Sequence, residues 1–405
     1  MSQALKLTEP YLGLEIYRGE KIIYGLLNRP HLVLSTCRVN GGFKDDLRYV
    51  ANHQACEPKP CSERGHGKCL AVRDPEGYHR LVCEYHGLVP EETALLGTAA
   101  NMTLAGLVVE EFILPGVEES LRVFCVATAG VETNAGRAGD QAQVYEWEGR
   151  FLKIPAQEAQ APAIQNSPEG QGTINIMLFV NQELAPCALV RAVKMATEAK
   201  TAVLQELNVP SRYSQGLATG TGTDQIAVAC LKTGRVPLRG AGKHVKLGEL
   251  LARAVKKAVR KALARQNKLT PETIRYVPRL LERFGLGEEV FFHEMKDILP
   301  EPLYSWLYKN RFAVLSDTLL VSQVLAYVHL LDQAAWQVVP QETLSEALVP
   351  QAALVTAALS GKMDQFPVYY RALQDLVFDP QRLLLQAIAL GFREKWNVPY
   401  YDPQA

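Results

Sequence analysis

The 405-residue sequence has no excess charge of either sign, because Lys and Arg together number 43 and Asp and Glu also number 43. A neutral balance argues against a general role in binding nucleic acid or a membrane surface. The sequence has no apolar run of transmembrane length, and residues 1–10 lack the apolar core of a secretory signal. These absences predict a soluble, cytoplasmic protein. Apolar residues make up 48% of the sequence, which is enough to form a full hydrophobic core.

The paired Cys-x2-Cys spacing of a zinc ribbon is also absent, although the sequence has eight cysteines. Four of them, Cys56, Cys61, Cys69 and Cys83, fall within residues 55–86, which are rich in Pro, Gly, His and charged residues. In a reducing compartment such a cluster indicates a metal site more than disulfides, and four thiolates suit zinc or an iron–sulfur cluster. We therefore predict an inserted, irregular metal-binding module at 55–86, with free or redox-active thiols as the alternative and with no organic cofactor.

Glycines and strand-like patterns become scarce after Leu269, where the sequence turns Leu-rich with helical periodicity. We predict two domains, residues 1–268 and a separate all-α domain at 269–405 whose first helix starts at Thr270. The second domain carries no recognisable catalytic motif or repeat. Self-association into a homo-oligomer and delivery of a ligand both remain open for it.

Residues 1–268 alternate between strand and helix patterns, which predicts an α/β domain with a mixed sheet and packed helices, layered α-β-β-α. The segment 146–171 is rich in Pro, Gln, Ala and Gly and is predicted to be a loop. The predicted strands lie at 11–37 (several, with turns), 122–130, 172–181 and 225–230, and the predicted helices at 98–111, 185–207 and 250–266. The last helix is basic, and we interpret its cations as a solvated face.

A polar Thr-x-Asn sequence stands at the start of the strand 172–181, where a buried strand has no need of one. Thr173 would present a hydroxyl at the tip of a strand that a loop precedes and a helix follows, which suits a nucleophile. Asn175 would add an amide to a binding site. The following helix carries Glu198 and Lys200 on an otherwise apolar element. The alternative is that Thr173 only begins the strand.

Three further loops combine glycine with polar residues and are candidate binding loops. Backbone N–H groups in such loops can hold an anion or an oxyanion, and hydroxyls on a backbone free of bulk suit amides or phosphates. The candidate binding residues in these loops are Asn40, Glu132, Asn134, Thr221 and Thr223. Ordinary polar turns are the alternative interpretation.

Several of these stretches together resemble the adenosylcobinamide amidohydrolase family. The resemblance runs in order along about residues 10–265 and includes neither the Cys-rich segment nor the helical domain. The stretches that carry it are 35–42, 52–54, 98–102, 127–135, 172–176, 196–202, 218–224 and 244–249. The resemblance implies hydrolysis of the amide that joins aminopropanol to a corrin side chain of adenosylcobinamide, with the corrinoid as a small-molecule substrate.

A second resemblance, to the ornithine acetyltransferase type of acyl-transfer enzyme, rests on residues 134–136, Thr173 with its following helix, and residues 219–224. Those enzymes use a threonine at the start of a strand as nucleophile, exposed by self-cleavage. The resemblance implies that Thr173 attacks and that a break before it frees an α-amine as the base. The oxyanion would then be held by N–H groups near Gly130 or Gly136.

A water mechanism is the alternative for the same hydrolysis. In it His53 or His244 is the general base, because histidine titrates near neutral pH, and Asp224 or Glu132 assists. A metal-activated water is disfavoured, since four thiolates leave no open coordination position. Two other functions stay open: a corrinoid- or metal-binding protein without catalysis, and a threonine amidase or acyltransferase that acts on another substrate.

Overall fold

The computed structural model describes residues 4–55, 70–116, 119–154 and 172–396. The chain divides after Thr270 into two compact units. The first unit contains β-sheets and helices, and the second is helical throughout its regular elements. The predicted fold class, an α/β region followed by an all-α region, is confirmed.

The strands described in the first unit alternate with a small number of helices. In chain order they are Leu5–Tyr11 (β1), Leu14–Gly19 (β2), Ile22–Leu27 (β3), His31–Ser35 (β4), Gly42–Lys44 (β5), Tyr49–Gln54 (β6), Thr93–Thr98 (β7), Gly106–Ile113 (β8), Ser120–Thr128 (β9), Ala135–Gly136 (β10), Val144–Trp147 (β11), Arg150–Lys153 (β12), Asn175–Val180 (β13), Gly220–Thr221 (β14) and Gln225–Leu231 (β15).

Two larger sheets contain most of these strands. One has the order β1-β2-β3-β6-β7, and the other has the order β5-β4-β15-β13-β9-β8. In the second sheet β13 pairs parallel with β15 and antiparallel with β9, so it lies at the centre. All six residues of β13 are buried, which confirms the buried strand predicted within 172–181.

The two sheets face each other across one apolar core. Met177 and Phe179 of β13 belong to the same buried cluster as Ile16 and Leu96 of the five-stranded sheet. The sheets approach closely at Gly25, where an added Cβ would lie 2.8 Å from ring atoms of Phe179. A glycine is therefore required at this position in β3.

Helices cover the outer face of each sheet. Leu70–Arg73 (α1) leads into Pro75–His86 (α2), which packs on the five-stranded sheet and buries Val82 against it. Pro186–Glu206 (α3) and Lys246–Gln266 (α4) pack on each other and on the six-stranded sheet. The order of the layers is thus α-β-β-α, as predicted.

The basic helix α4 pairs its cations with carboxylates on neighbouring elements. Lys257 and Arg253 reach Glu110 of β8, at 2.5 and 3.2 Å. Lys256 reaches Glu206, at the end of α3, at 2.5 Å. These cations therefore help to dock α4 on the rest of the unit.

The helix predicted at 98–111 is wrong, because β8 occupies the second half of this segment. Its Glu110 points toward α4, with 7% of its surface exposed, and pairs with the cations of that helix. A charged residue at a buried position conceals the alternation of the strand, and the alanine-rich start of the segment then favours a helix. Gly106 allows the first residue of β8 to lie against α4, because a Cβ at this position would be only 2.1 Å from Ala258 O.

The irregular module predicted at 55–86 is wrong for residues 70–86, which form α1 and α2. Asp74 caps α2 by accepting a hydrogen bond from a backbone N–H of the first turn, and Gly87 ends it with φ 71°. A short helix with one apolar face needs the sheet beneath it to be stable, which the sequence of the segment alone does not reveal. Residues 56–69 lie outside the described part of the chain.

The loop predicted at 146–171 is wrong at its start, where β11 and β12 form an antiparallel hairpin. Glu148 and Gly149 connect the strands with φ of 48° and 71°. Positive φ at both central residues is what a two-residue type I′ hairpin turn requires. Residues 155–171 lie outside the described part of the chain.

The second unit is built from helices around a separate apolar core that includes Phe291, Tyr327 and Phe392. Its α-helices are Pro271–Ile274 (α5), Val277–Leu281 (α6), Glu288–Ile298 (α7), Leu303–Lys309 (α8), Arg311–Leu315 (α9), Thr318–Ala335 (α10), Leu344–Ser360 (α11), Phe366–Gln374 (α12) and Pro380–Trp396 (α13). Across the described parts of both units, no helix combines the length and the apolar character that crossing a bilayer requires.

Candidate functional site

Asn175 opens β13 and points into the space between the two sheets, because Met177, two residues later, lies in the core there. Its Nδ2 donates to Asn52 Oδ1 (2.8 Å) and to Gly97 O (3.0 Å) on the opposite sheet. Asn52 in turn donates to Thr128 Oγ1 at 2.8 Å. A buried polar network therefore joins the two sheets at the start of β13.

Two residues before Asn175, Thr173 meets a second threonine. Thr173 Oγ1 and Thr223 Oγ1 are 2.7 Å apart, and Thr223 also donates to Gly172 O at 3.1 Å. Since Thr223 has a single hydroxyl proton and directs it to Gly172 O, Thr173 is the donor in the hydroxyl pair. The result is a chain of hydrogen bonds from Thr173 through Thr223 to the carbonyl of the preceding residue.

The Gly172 carbonyl has a further donor. Asn134 Nδ2 donates to Gly172 O at 2.5 Å, and both residues are buried. The approach leaves no room for a side chain, because a Cβ on residue 172 would lie 2.6 Å from Asn134 Oδ1 and from Gly130 O. The loop 130–136 thus holds the peptide that precedes Thr173.

Asp224 lies beside this peptide with both carboxylate oxygens occupied. Oδ1 accepts from Ile174 N at 2.9 Å and from Thr221 Oγ1 at 2.5 Å. Oδ2 accepts from Thr221 N at 3.0 Å and from the ammonium of Lys200 in α3. With four donors around it, Asp224 positions the backbone near Thr173, and it is not a free general base.

Six of the predicted site residues therefore meet at the start of β13, and His53 does not join them. The six are Thr173, Asn175, Asn134, Thr221, Thr223 and Asp224. His53 follows Asn52 in β6, and successive residues of a strand point to opposite faces. Its Nδ1 lies 2.6 Å from Tyr78 OH of α2, on the outer face of the sheet, and its ring is 5.5 Å from that of His86. Burial lowers the pKa of His53 to about 3, so it is a weak base as well as a distant one.

His244 and Glu132 also lie apart from the hydroxyl pair. His244 is exposed, and the adjacent Lys243 pairs at 3.0 Å with Glu198, which lies on a different side of α3 from Lys200. Glu132 is exposed in the turn before β10.

Asn40 stabilises a loop. Its backbone has φ 52°, in the left-handed region that asparagine tolerates, and its Nδ2 donates to Pro90 O (2.8 Å) and Thr93 O (2.9 Å). The side chain therefore ties the turn after β4 to the start of β7. These contacts explain the asparagine without a ligand.

Among the four cysteines of the predicted metal site, only Cys83 lies within the described residues. It is buried in α2, with Sγ 3.7 Å from His79 Nε2, and burial raises the pKa of its thiol to about 11. The described part of the chain contains no group of three or more residues suited to hold a metal. Cys56, Cys61 and Cys69 lie outside that part, so the four-cysteine site stays a prediction.

Metal analysis of the purified protein tests this site. If the four thiolates bind zinc or an iron–sulfur cluster, the full chain should carry zinc or iron, and the double variant Cys61→Ser/Cys69→Ser should lose it. Cys187→Ser is the matched control, because Cys187 is an exposed free thiol outside the cluster. Undiminished metal in the double variant, or none in the wild type, would contradict the prediction.

Two residues of the site were not identified as such from the sequence. Lys200 carries a recognisable signal, because it occupies the apolar stripe of α3 between Ala196 and Val203, where a lysine is out of place. Asn52 carries a weaker one, a polar residue two positions after the inward-facing Val50. Both signals indicate buried polar contacts, but neither identifies the residue that is contacted.

Comparisons with known proteins identify the family of this chain. A family model for adenosylcobinamide amidohydrolase matches residues 7–271. The uncharacterized protein MJ1613 of Methanocaldococcus jannaschii is 36% identical over 245 residues, which is 58% of this chain and 83% of that protein. The crystal structure of the PH0078 protein from Pyrococcus horikoshii OT3 aligns with 65% of this chain and 83% of its own, at 10% identity and a TM-score of 0.30, too low to support an argument.

The family match contains every element that forms the site, from β6 through α3 to β15, and it ends where the helical unit begins. It covers well over half of the chain and confirms the resemblance found in the sequence. The chain therefore belongs to the adenosylcobinamide amidohydrolase family.

Proposed function

We propose that this chain hydrolyses the amide that joins aminopropanol to a corrin side chain of adenosylcobinamide, giving adenosylcobyric acid and 1-amino-2-propanol. Family membership over residues 7–271 supports the substrate. One geometric observation supports the chemistry: the Thr173 hydroxyl is hydrogen-bonded to Thr223 at the start of a buried strand, with the oxygens 2.7 Å apart. The cobalt corrinoid is the substrate of this reaction.

In the proposed reaction Thr173 Oγ1 forms a bond to the amide carbon while its proton passes to the α-amine that a cut before Thr173 would free. Thr223 Oγ1, 2.7 Å away, orients the attacking hydroxyl. Breakage of the C–N bond releases 1-amino-2-propanol, which takes up a proton, and leaves an ester on Thr173. Water then hydrolyses the ester to adenosylcobyric acid and restores the hydroxyl. His53 and His244 take no part, because one points away from the site and the other is exposed.

The donors around Gly172 support a place for the substrate carbonyl. Asn134 Nδ2 and Thr223 Oγ1 both donate to Gly172 O. If the chain is cut after Gly172, that carbonyl can leave, and the same donors would then stabilise the oxyanion that forms on the substrate. The N–H of Gly130, predicted for this task, donates to Thr173 O at 3.2 Å instead.

The proposal therefore includes a cut between Gly172 and Thr173. Thr173 Oγ1 would add to the Gly172 carbonyl carbon, and loss of the Thr173 nitrogen from that carbon would give an ester and a free α-amine. One water molecule would hydrolyse the ester to the Gly172 carboxylate. The freed α-amine would then accept protons from the hydroxyl, as the threonine mechanism requires.

Mass spectrometry of one reaction tests both parts. Incubation with adenosylcobinamide should release equal amounts of 1-amino-2-propanol and adenosylcobyric acid. The protein itself should appear as fragments 1–172 and 173–405, whose masses add up to the full chain plus one water. Absence of amine release by the folded protein would contradict the function. Release by an uncut chain would contradict the free α-amine as base.

A further inference from the structure

We propose that Lys200 is a positioning residue for this reaction: together with Asp224 it forms a buried clamp that holds the backbone beside the two reacting hydroxyls. The inference rests on the proposed role of Thr173. Lys200 Nζ contacts Asp224 Oδ2 and neither of the hydroxyls. It therefore acts through the carboxylate and is not itself a catalytic residue.

The position of Lys200 indicates a task beyond stability. Its side chain is 8% exposed and that of Asp224 is 12% exposed. Removing two charges from water costs free energy that their attraction often fails to recover, so a buried ion pair is weak evidence of a stabilising role. A lysine elsewhere on α3, such as Lys194, keeps 70% of its side chain exposed and avoids this cost.

The clamp fits tightly against the chain. A Cβ on Gly220 would lie 2.5 Å from Asp224 Oδ2 and 2.6 Å from Lys200 Nζ. The ammonium and the carboxylate therefore touch a backbone that has no side chain in the way. Such close contact defines the position of the carboxylate, because neither group can shift toward Gly220.

The carboxylate in turn fixes the backbone next to both reacting threonines. Its Oδ1 holds the N–H of Ile174, the residue that follows Thr173, at 2.9 Å. Asp224 itself follows Thr223 in the chain. Without the ammonium, the buried carboxylate would keep its charge uncompensated and would turn toward water. The 2.7 Å contact between Thr173 and Thr223 would then loosen.

The variants Lys200→Met and Lys200→Met/Asp224→Asn test the clamp. Methionine keeps the length of lysine without its charge, and the double variant leaves no unpaired charge. In both variants we expect kcat for amine release to fall roughly a hundredfold, since a displacement of about 1 Å has that effect, with little change in KM. Deuterium exchange of the amide hydrogens at residues 174–176 should also become faster in both, and this readout needs no substrate.

Lys194→Met is the matched control, because Lys194 lies on the same helix in an exposed ion pair. It should leave kcat and exchange unchanged. The inference is overturned if Lys200→Met keeps wild-type exchange at residues 174–176, or if the double variant regains wild-type kcat together with wild-type thermal stability. If the wild type releases no amine, the proposed function fails, and the exchange rates still decide whether the clamp exists.

Discussion

Replacing Thr173 with alanine is expected to lower the rate of 1-amino-2-propanol release by roughly a thousandfold or more, the scale seen when an attacking hydroxyl is removed. Neither Asp224 nor His53 is placed to activate a water molecule in its stead. The carboxylate of Asp224 already accepts from four donors, and His53 lies on the outer face of its sheet. The assay is mass-spectrometric detection of the amine at saturating adenosylcobinamide, so that kcat is compared. The variant should also remain a single chain of 405 residues.

Two further variants make this result interpretable. Thr173→Ser keeps a hydroxyl and should retain part of the activity. Thr201→Ala also removes a threonine hydroxyl from the first unit, one that donates to Thr219 O at 3.0 Å, and should change the rate by no more than about threefold. Near-wild-type release by Thr173→Ala would eliminate the threonine mechanism and favour attack by water.

Replacing Gly172 with alanine is expected to lower kcat by roughly a hundredfold and to reduce the free energy of unfolding by about 1–3 kcal/mol. The added Cβ would lie 2.6 Å from Asn134 Oδ1 and from Gly130 O. The Gly130 oxygen belongs to the backbone, and the N–H of the same residue is bonded to Thr173 O. Relief of the overlap therefore moves Thr173. Urea unfolding and amine release measure the two effects.

Gly222→Ala is the matched control for this substitution. Gly222 lies in the turn next to Thr223, and a Cβ added there would have nothing within 4 Å. We expect it to change the free energy of unfolding by less than about 0.5 kcal/mol and to leave turnover close to wild type. Equal effects of the two substitutions would show that the close approach at Gly172 has no special role.

Local sequence patterns predict the helices and strands whose apolar periodicity is not interrupted by residues that contact distant parts of the chain. The alternation at 11–37 and the apolar run at 172–181 become strands because most of the positions that face the core between the sheets hold apolar or small residues. The pattern fails at β8, where Glu110 is buried against α4 and pairs with cations that lie far along the chain. It fails again at 70–86, where a short helix depends on the sheet beneath it.

The residues of the site also divide into those that the sequence pattern places correctly and those that it does not. Thr173, Asn134 and Asp224 stand out in the sequence as polar residues in a strand start or a glycine-rich loop, and the structure brings them together. His53 stands out equally and lies elsewhere. The alternation of β6 turns Asn52 toward Asn175 and His53 away from it. Two adjacent residues therefore lie on opposite faces of the sheet, one inside the site and one outside it.

The fold class, the family and the group of polar residues that form the site could be predicted from local periodicity and from motifs in order along the chain. Which of these residues meet could be seen only once the chain was folded. Asn52 and Asn175 are 123 positions apart, and Lys200 and Asp224 are 24 apart. Contacts between distant segments depend on how sheets and helices pack, and no local pattern specifies the partner of a buried polar group.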